Sequence, residues 1–283
     1  MRTNQNAKDR RTIRFLCLWI GCLWVLGPTR AMALDQPLPG DDWTFRPTVI
    51  IRQGNSQGSG SVISSVRGEA LILTAAHVVS NRGKPRVEFH RYNVGMERTK
   101  SGEGWPRSYP AEVVGADRAA DVAVIRVKGL PPLPYVARLA GPGGEPRKGS
   151  RVTSVGIDLG TQLSSWPTQI TRIERFEMQG GGSPRLFLVT GRAPEHGRSG
   201  GGLYLANGDL VGVCIGRARL GKGKGRVSGI FASTSSIRRL LQLHNVTPQV
   251  ESPIAATHHD QVPSKPSLSR TSSASSSVSA SRP

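Results

Sequence analysis

Twelve short apolar runs broken by turns leave this chain little choice but an all-β fold. Six lie at residues 48–52, 60–63, 70–74, 86–89, 111–114 and 121–127. After a Gly- and Pro-rich stretch at 130–149 come six more, at 152–157, 169–175, 185–189, 203–205, 210–215 and 227–231. Short runs between turn residues are the pattern of antiparallel barrels, and six suit one small barrel. The expected architecture is two antiparallel six-stranded β-barrels, over about 47–130 and 150–245. One clear helix is expected at 235–243, with Ile237, Leu240 and Leu241 on one face and Thr234 or Ser235 as N-cap. It should close the domain.

The two ends read differently. Arg10, Arg11 and Arg14 precede an apolar run at 15–27, and Ala31-Met32-Ala33 offers small residues for cleavage. That is a secretory signal peptide over 1–33, too short for a membrane span of roughly 20 residues. Cleavage after Ala33 would place the protein in a bacterial periplasm or outside the cell. Residues 34–46 read as an entry linker rich in Pro, Gly and Asp. Beyond Asn245 the composition turns to Ser, Pro and Arg, a disordered tail over 246–283 with little to bury. Of three cysteines, Cys17 and Cys22 leave with the signal. Cys214 then has no intramolecular partner and reads as a buried, inert thiol.

One stretch promises chemistry. In His196-Gly197-Arg198-Ser199-Gly200-Gly201-Gly202 a serine sits among glycines, which free the backbone for positive φ and bring N–H groups close to a bound carbonyl. An oxyanion hole beside an exposed hydroxyl needs that arrangement. Upstream, an apolar strand runs through Thr74-Ala75-Ala76 into His77, and Asp121 stands at the mouth of Val122-Ala123-Val124. His77, Asp121 and Ser199 follow one another at separations of 44 and 78 residues. That is one of the chain orders in which a Ser-His-Asp triad occurs.

These blocks carry a resemblance. Thr74-Ala75-Ala76-His77, Asp121-Val122-Ala123-Val124 and Gly197-Arg198-Ser199-Gly200-Gly201 resemble the three signature blocks of trypsin-like serine peptidases of the chymotrypsin fold. Gly58-Ser59-Gly60-Ser61-Val62-Ile63 and Gly229-Ile230-Phe231-Ala232 bring the chain nearer the bacterial HtrA-type branch. The resemblance spans about residues 47–245 and implies an exported serine endopeptidase working through an acyl-enzyme. It implies Ser199 as nucleophile, His77 as general base, Asp121 as the group that orients the imidazole, and the N–H groups of Gly197 and Ser199 as the oxyanion hole. Its primary pocket would lie near Ala193 and near Cys214, Ile215 and Gly216. With Ala193 where a trypsin pocket has aspartate, a small or medium apolar side chain is expected there. HtrA-type proteins usually carry a PDZ domain, but the 38 residues after Asn245 fall short of the roughly 50 a domain requires. One position departs from the family: Arg198 replaces the usual Asp or Asn before the serine, so an acid at that position cannot be what shapes the hole.

The chain is strongly basic, 38 Lys and Arg against 19 Asp and Glu. Without residues 1–33 the formal charge is about +14. A dense run at 217–226 holds Arg217, Arg219, Lys222, Lys224 and Arg226, read as a mobile loop near the substrate strand. It is either a solvated surface or an attraction for acidic substrates, nucleic acid or envelope polymers, though no nucleic-acid motif accompanies it. The expected partners are protein or peptide substrates, with no cofactor and no metal; His90, His244, His258 and His259 show no ligand spacing.

Two other readings compete. Gly197-Arg198-Ser199-Gly200-Gly201 fits the nucleophile elbow of α/β hydrolases, with Asp209 and His244 following in order. That class needs alternating helices, which the sequence lacks. Alternatively, the fold is a catalytically silent or latent protease acting as a binding module.

Overall fold

The computed structural model describes residues 41–96, 104–178, 183–219 and 226–249, all within the unit Pro37–Pro283. The signal peptide, the first part of the entry linker, most of the tail and Lys222 and Lys224 lie outside the described residues.

Twelve strands form: β1 (Thr48–Gln53), β2 (Ser56–Val66), β3 (Glu69–Thr74), β4 (Arg86–Phe89), β5 (Arg107–Asp117), β6 (Val122–Lys128), β7 (Arg151–Asp158), β8 (Gln162–Phe176), β9 (Arg185–Thr190), β10 (Gly202–Tyr204), β11 (Leu210–Arg219) and β12 (Val227–Ser233). They close into two antiparallel barrels, ordered β1-β2-β3-β6-β5-β4 and β10-β11-β12-β9-β8-β7. Read from its first strand, the second barrel repeats the order of the first. The expected double barrel is what forms.

The strands read as near-continuous apolar runs because many are buried on both faces. Successive strand residues point to opposite sides. Phe187, Val189, Val213, Ile230 and Ala232 pack into a core shared with the first barrel and the last helix. Their chain neighbours Leu188, Cys214 and Phe231 fill the second barrel itself. The barrels are therefore joined by a hydrophobic face, and the loops carried at that junction are held in register.

Several boundaries differ from the expectation. β8 begins at Gln162 rather than 169, because the polar stretch before it pairs with β7 (Ser154↔Trp166, Gly156↔Ser164) while its second half pairs with β9. β11 runs on through Arg219, so the start of the basic run is strand rather than loop. The entry linker contains a short helix, α1 (Asp41–Thr44). The closing helix, α2 (Thr234–Leu243), starts one residue earlier than expected, and Ser233 is its N-cap. Thr234 is not a cap because its hydroxyl donates to the Val211 carbonyl (2.7 Å), tying the helix to β11.

Candidate active site

His77 stands on a single 3-10 turn, Ala76–Val79, that follows β3. Ala75, Ala76, Val78 and Val79 are buried, so the turn lies flat on the barrel and His77 alone faces out. Asp121 precedes β6 with φ of 53°, in the left-handed region that Asp tolerates better than most residues. Its carbonyl accepts the Ala76 N–H (3.2 Å) and its Oδ1 accepts the His77 N–H (2.8 Å). The other oxygen, Oδ2, lies 2.6 Å from His77 Nδ1. A carboxylate offers no proton here, so Nδ1 is the donor and Nε2 keeps its lone pair. The imidazole is thus fixed in tautomer and orientation.

Ser199 lies in the loop between β9 and β10, which rests on the first barrel through Ser59 of β2. The Ser59 N–H donates to the Ser199 carbonyl (2.7 Å) and its hydroxyl donates to the Gly197 carbonyl (2.9 Å). The same hydroxyl accepts the Ile157 N–H (2.8 Å), and Thr74 Oγ1 donates to the Ser59 carbonyl (2.8 Å). One buried serine therefore joins β2, β3, β7 and the nucleophile loop. Glycine is required on both sides of this contact. A Cβ on Gly58 would lie 2.7 Å from the Ser199 carbonyl and 2.6 Å from Val78, the neighbour of His77. A Cβ on Gly200, whose φ is +89°, would lie 2.0 Å from the Ser59 carbonyl. These contacts bring the serine loop against the turn that carries His77.

The N–H groups of Gly197 and Ser199, like those of Ala193, Glu195 and His196 earlier in the loop, have no acceptor among the described residues. The His196 carbonyl accepts the Leu159 N–H (2.7 Å), and a trans peptide sends the following N–H the opposite way. The Gly197 N–H therefore points away from the β7–β8 turn and stays uncommitted. Ser199 Oγ likewise has no hydrogen bond among the described residues.

Arg198 explains how the loop is held without an acid beside the serine. Its side chain is fully buried. Nε and Nη2 donate to the two oxygens of Asp158 at 2.8 and 2.6 Å, a bidentate pair. Nη1 donates to the Ser154 carbonyl (3.1 Å), Nη2 bonds Ser164 Oγ, and the guanidinium stacks 4.9 Å from the Trp166 ring centroid. The acid is present after all, but it comes from the end of β7, forty residues upstream. Sequence reasoning missed Asp158, Ser59 and Ser154, whose roles depend on tertiary pairing.

The pocket residues are placed less uniformly. Ala193 is half-buried, Ile215 is buried, and Gly216 has open space where a side chain would stand. Cys214 does not line a cleft: its thiol is fully buried, its N–H donates to the Gly201 carbonyl (2.8 Å) and its carbonyl accepts the Gly200 N–H (2.7 Å). It supports the serine loop from behind. Burial pushes its thiol up to about 12, so the thiol stays protonated at pH 8. Native protein is expected to resist iodoacetamide at pH 8 and to react at Cys214 once unfolded; equal reaction in both states would contradict this placement.

The alternative hydrolase residues lie elsewhere. Asp209 pairs with Arg138, and the His244 ring covers Gly115 of β5. Two closed antiparallel barrels exclude the α/β-hydrolase architecture.

Residues 58–213, more than half of the chain, match the model of the trypsin-like peptidase domain. The chain belongs to the trypsin-like peptidases. Among curated relatives, this domain is 32% identical over 168 residues to putative protease Do-like 14 of Arabidopsis thaliana, covering 58% of this chain and 36% of that protein. It is 30% identical over 160 residues to serine protease HTRA1 of Xenopus laevis (56% and 31%). It is 28% identical over 166 residues to serine protease Do-like HtrA of Bacillus subtilis (56% and 33%). The chain spans about a third of the length of these curated relatives. Among solved structures, the active form of the Rv3671c protease from M. tuberculosis superposes with a TM-score of 0.56 at 24% identity, covering 78% of this chain and 90% of that one. The serine endoprotease of Yersinia pestis gives 0.54 at 19% identity, covering 72% and 65%. These structures share the fold of the trypsin-like domain.

Proposed function

We propose that the trypsin-like domain is a serine endopeptidase that hydrolyses peptide bonds in proteins, with His77, Asp121 and Ser199 as its catalytic residues. The observation that carries this reading is the pair of hydrogen bonds from His77 to Asp121, which leaves Nε2 without a partner among the described residues, on a turn packed against a serine loop whose Gly197 and Ser199 N–H groups are uncommitted. In this reading Ser199 Oγ attacks the scissile carbonyl while His77 Nε2 takes its proton. The imidazolium that forms is stabilised by Asp121. The oxyanion is met by the Gly197 and Ser199 N–H groups, a contribution of roughly 3 kcal/mol per donor. Collapse of the tetrahedral species expels the amine, which receives its proton from His77, and leaves an acyl-Ser199 that water hydrolyses by the same steps.

A fluorophosphonate probe tests this directly, since it reacts with an activated serine and needs no knowledge of the substrate. Purified protein is expected to label with one probe per chain. Ser199→Ala should abolish labelling, and His77→Ala should slow it by a factor of about a thousand or more. Labelling that survives Ser199→Ala would move the nucleophile elsewhere; folded wild-type protein that never labels would make the domain catalytically silent.

A further inference from the structure

The second barrel leaves one strand edge open beside the nucleophile. β10 pairs with β11 only as far as Gly202↔Val213, and the Gly200-Gly201 backbone then occupies Cys214. From Gly216 to Arg219 β11 continues against β12 (Arg217↔Gly229, Ala218↔Ser228, Arg219↔Val227), and among the described residues no strand covers its other edge. An extended peptide added to that edge would reach Ser199 at its scissile bond and run back past Arg217 and Arg219, gaining main-chain hydrogen bonds.

The side chains along this path are cationic. Arg217 and Arg219 are exposed and, two residues apart, share a face of the strand. Arg217 Nη2 lies 3.4 Å from His196 Nε2, so the arginine reaches across from β11 to the serine loop. No carboxylate pairs with Arg217 among the described residues. The acids nearby are otherwise placed: Asp158 is held by Arg198 and Asp121 by His77, while Glu195 stands exposed beside His196. Most of the other arginines with a clear contact in this domain meet a carboxylate, a carbonyl or an aromatic ring. Arg217 meets a ring nitrogen instead: a guanidinium can only donate, so His196 Nε2 is the acceptor, and the remaining N–H groups of the fork have no partner among the described residues.

We infer that the substrate of this site carries Asp or Glu within the few residues preceding the scissile bond, recognised by Arg217 with His196 beside it. This deepens the endopeptidase reading and rests on it. A carboxylate placed there accepts from the guanidinium fork. Both groups are solvent-exposed, so the gain is modest and screened by salt, about 2- to 5-fold at low ionic strength.

Binding is measured apart from turnover, using the Ser199→Ala protein and fluorescein-labelled octapeptides that differ only before the scissile position, Asp-Glu, Ser-Ser or Lys-Lys. By anisotropy in 50 mM NaCl, the acidic peptide is expected to bind about 2- to 5-fold tighter than the serine peptide, with the lysine peptide weakest, and the spread should shrink in 500 mM NaCl. Adding Arg217→Glu should erase or invert the order, while Arg151→Glu, an equal change of net charge at the start of β7, should leave it intact. Equal binding of all three peptides, or a preference that survives Arg217→Glu, would overturn the inference. So would a preference lost equally in Arg151→Glu, which would mean attraction to bulk charge. Absent fluorophosphonate labelling of the wild type would instead strike the endopeptidase reading, whatever these affinities show.

Discussion

Asp158→Ala is expected to lower the thermal midpoint sharply and slow fluorophosphonate labelling at least a hundredfold. Arg198 lies fully buried and donates to both oxygens of Asp158. Removing one partner of such a pair strands a charge in low dielectric, a cost of roughly 3–5 kcal/mol. In a domain of this size that corresponds to a fall of about 6–20 °C in the midpoint. The chain escapes this cost only by moving Arg198, and Arg198 sits one residue before Ser199. Its displacement would also disturb the Leu159 N–H to His196 carbonyl bond, since Leu159 follows Asp158 directly. That bond is what aims the Gly197 N–H, so the two N–H groups proposed to meet the oxyanion should lose their alignment together.

Two companion variants separate stability from alignment. Ser164→Ala removes a neutral hydroxyl from the same guanidinium and should cost only about 1 kcal/mol, with labelling nearly unchanged. Arg198→Lys keeps the charge but not the bidentate fork, so it should retain more stability than labelling rate. If Asp158→Ala keeps both its midpoint and its labelling rate, the pair does not organise the loop.

The sequence revealed the double barrel because burial on both faces leaves long apolar signatures. β9 is an example, with Phe187 and Val189 facing one core and Leu188 the other. Exposed strand segments lack that signature. The first half of β8 presents Ser165 and Pro167, and the end of β11 presents Arg217 and Arg219, so the apolar pattern marks neither segment as strand. The reason is physical: main-chain pairing to a neighbour, not side-chain burial, makes these segments extended.

The site divides along a similar line. The pairing of His77 with Asp121 was legible from residue type and order, and the structure brings the two together. The support beneath them was not. Arg198 looked like a missing acid, and its carboxylate comes from Asp158 through barrel closure. Ser59 was visible only as part of a Gly-Ser-Gly pattern, yet its N–H, hydroxyl and carbonyl each hold a different neighbour. Nothing in local sequence announces such a junction, because its partners lie between 15 and 140 residues away.

Asp121→Asn is expected to lower kcat about ten-thousandfold while leaving the fold and midpoint almost unchanged. Asparagine tolerates the left-handed backbone that Asp121 adopts, so the turn before β6 is not strained by the change. Its amide oxygen still accepts the His77 N–H, which anchors the 3-10 turn. The loss falls on the ring. An amide NH2 opposite Nδ1 donates where the carboxylate accepted, so Nδ1 must become the acceptor and the proton moves to Nε2. Protonated Nε2 cannot take the Ser199 proton, and the imidazolium loses its counter-charge; an effect of about 10⁴ is the size such a substitution has in a working triad. Asp121→Ala should behave differently, losing midpoint as well, because alanine at φ of 53° is strained and the His77 N–H loses its acceptor. A purely structural role for Asp121 would make the two variants alike, with activity tracking stability. A separation between them, with the Asn protein folded but nearly inert, would show that what Asp121 supplies is the charge and tautomer of His77.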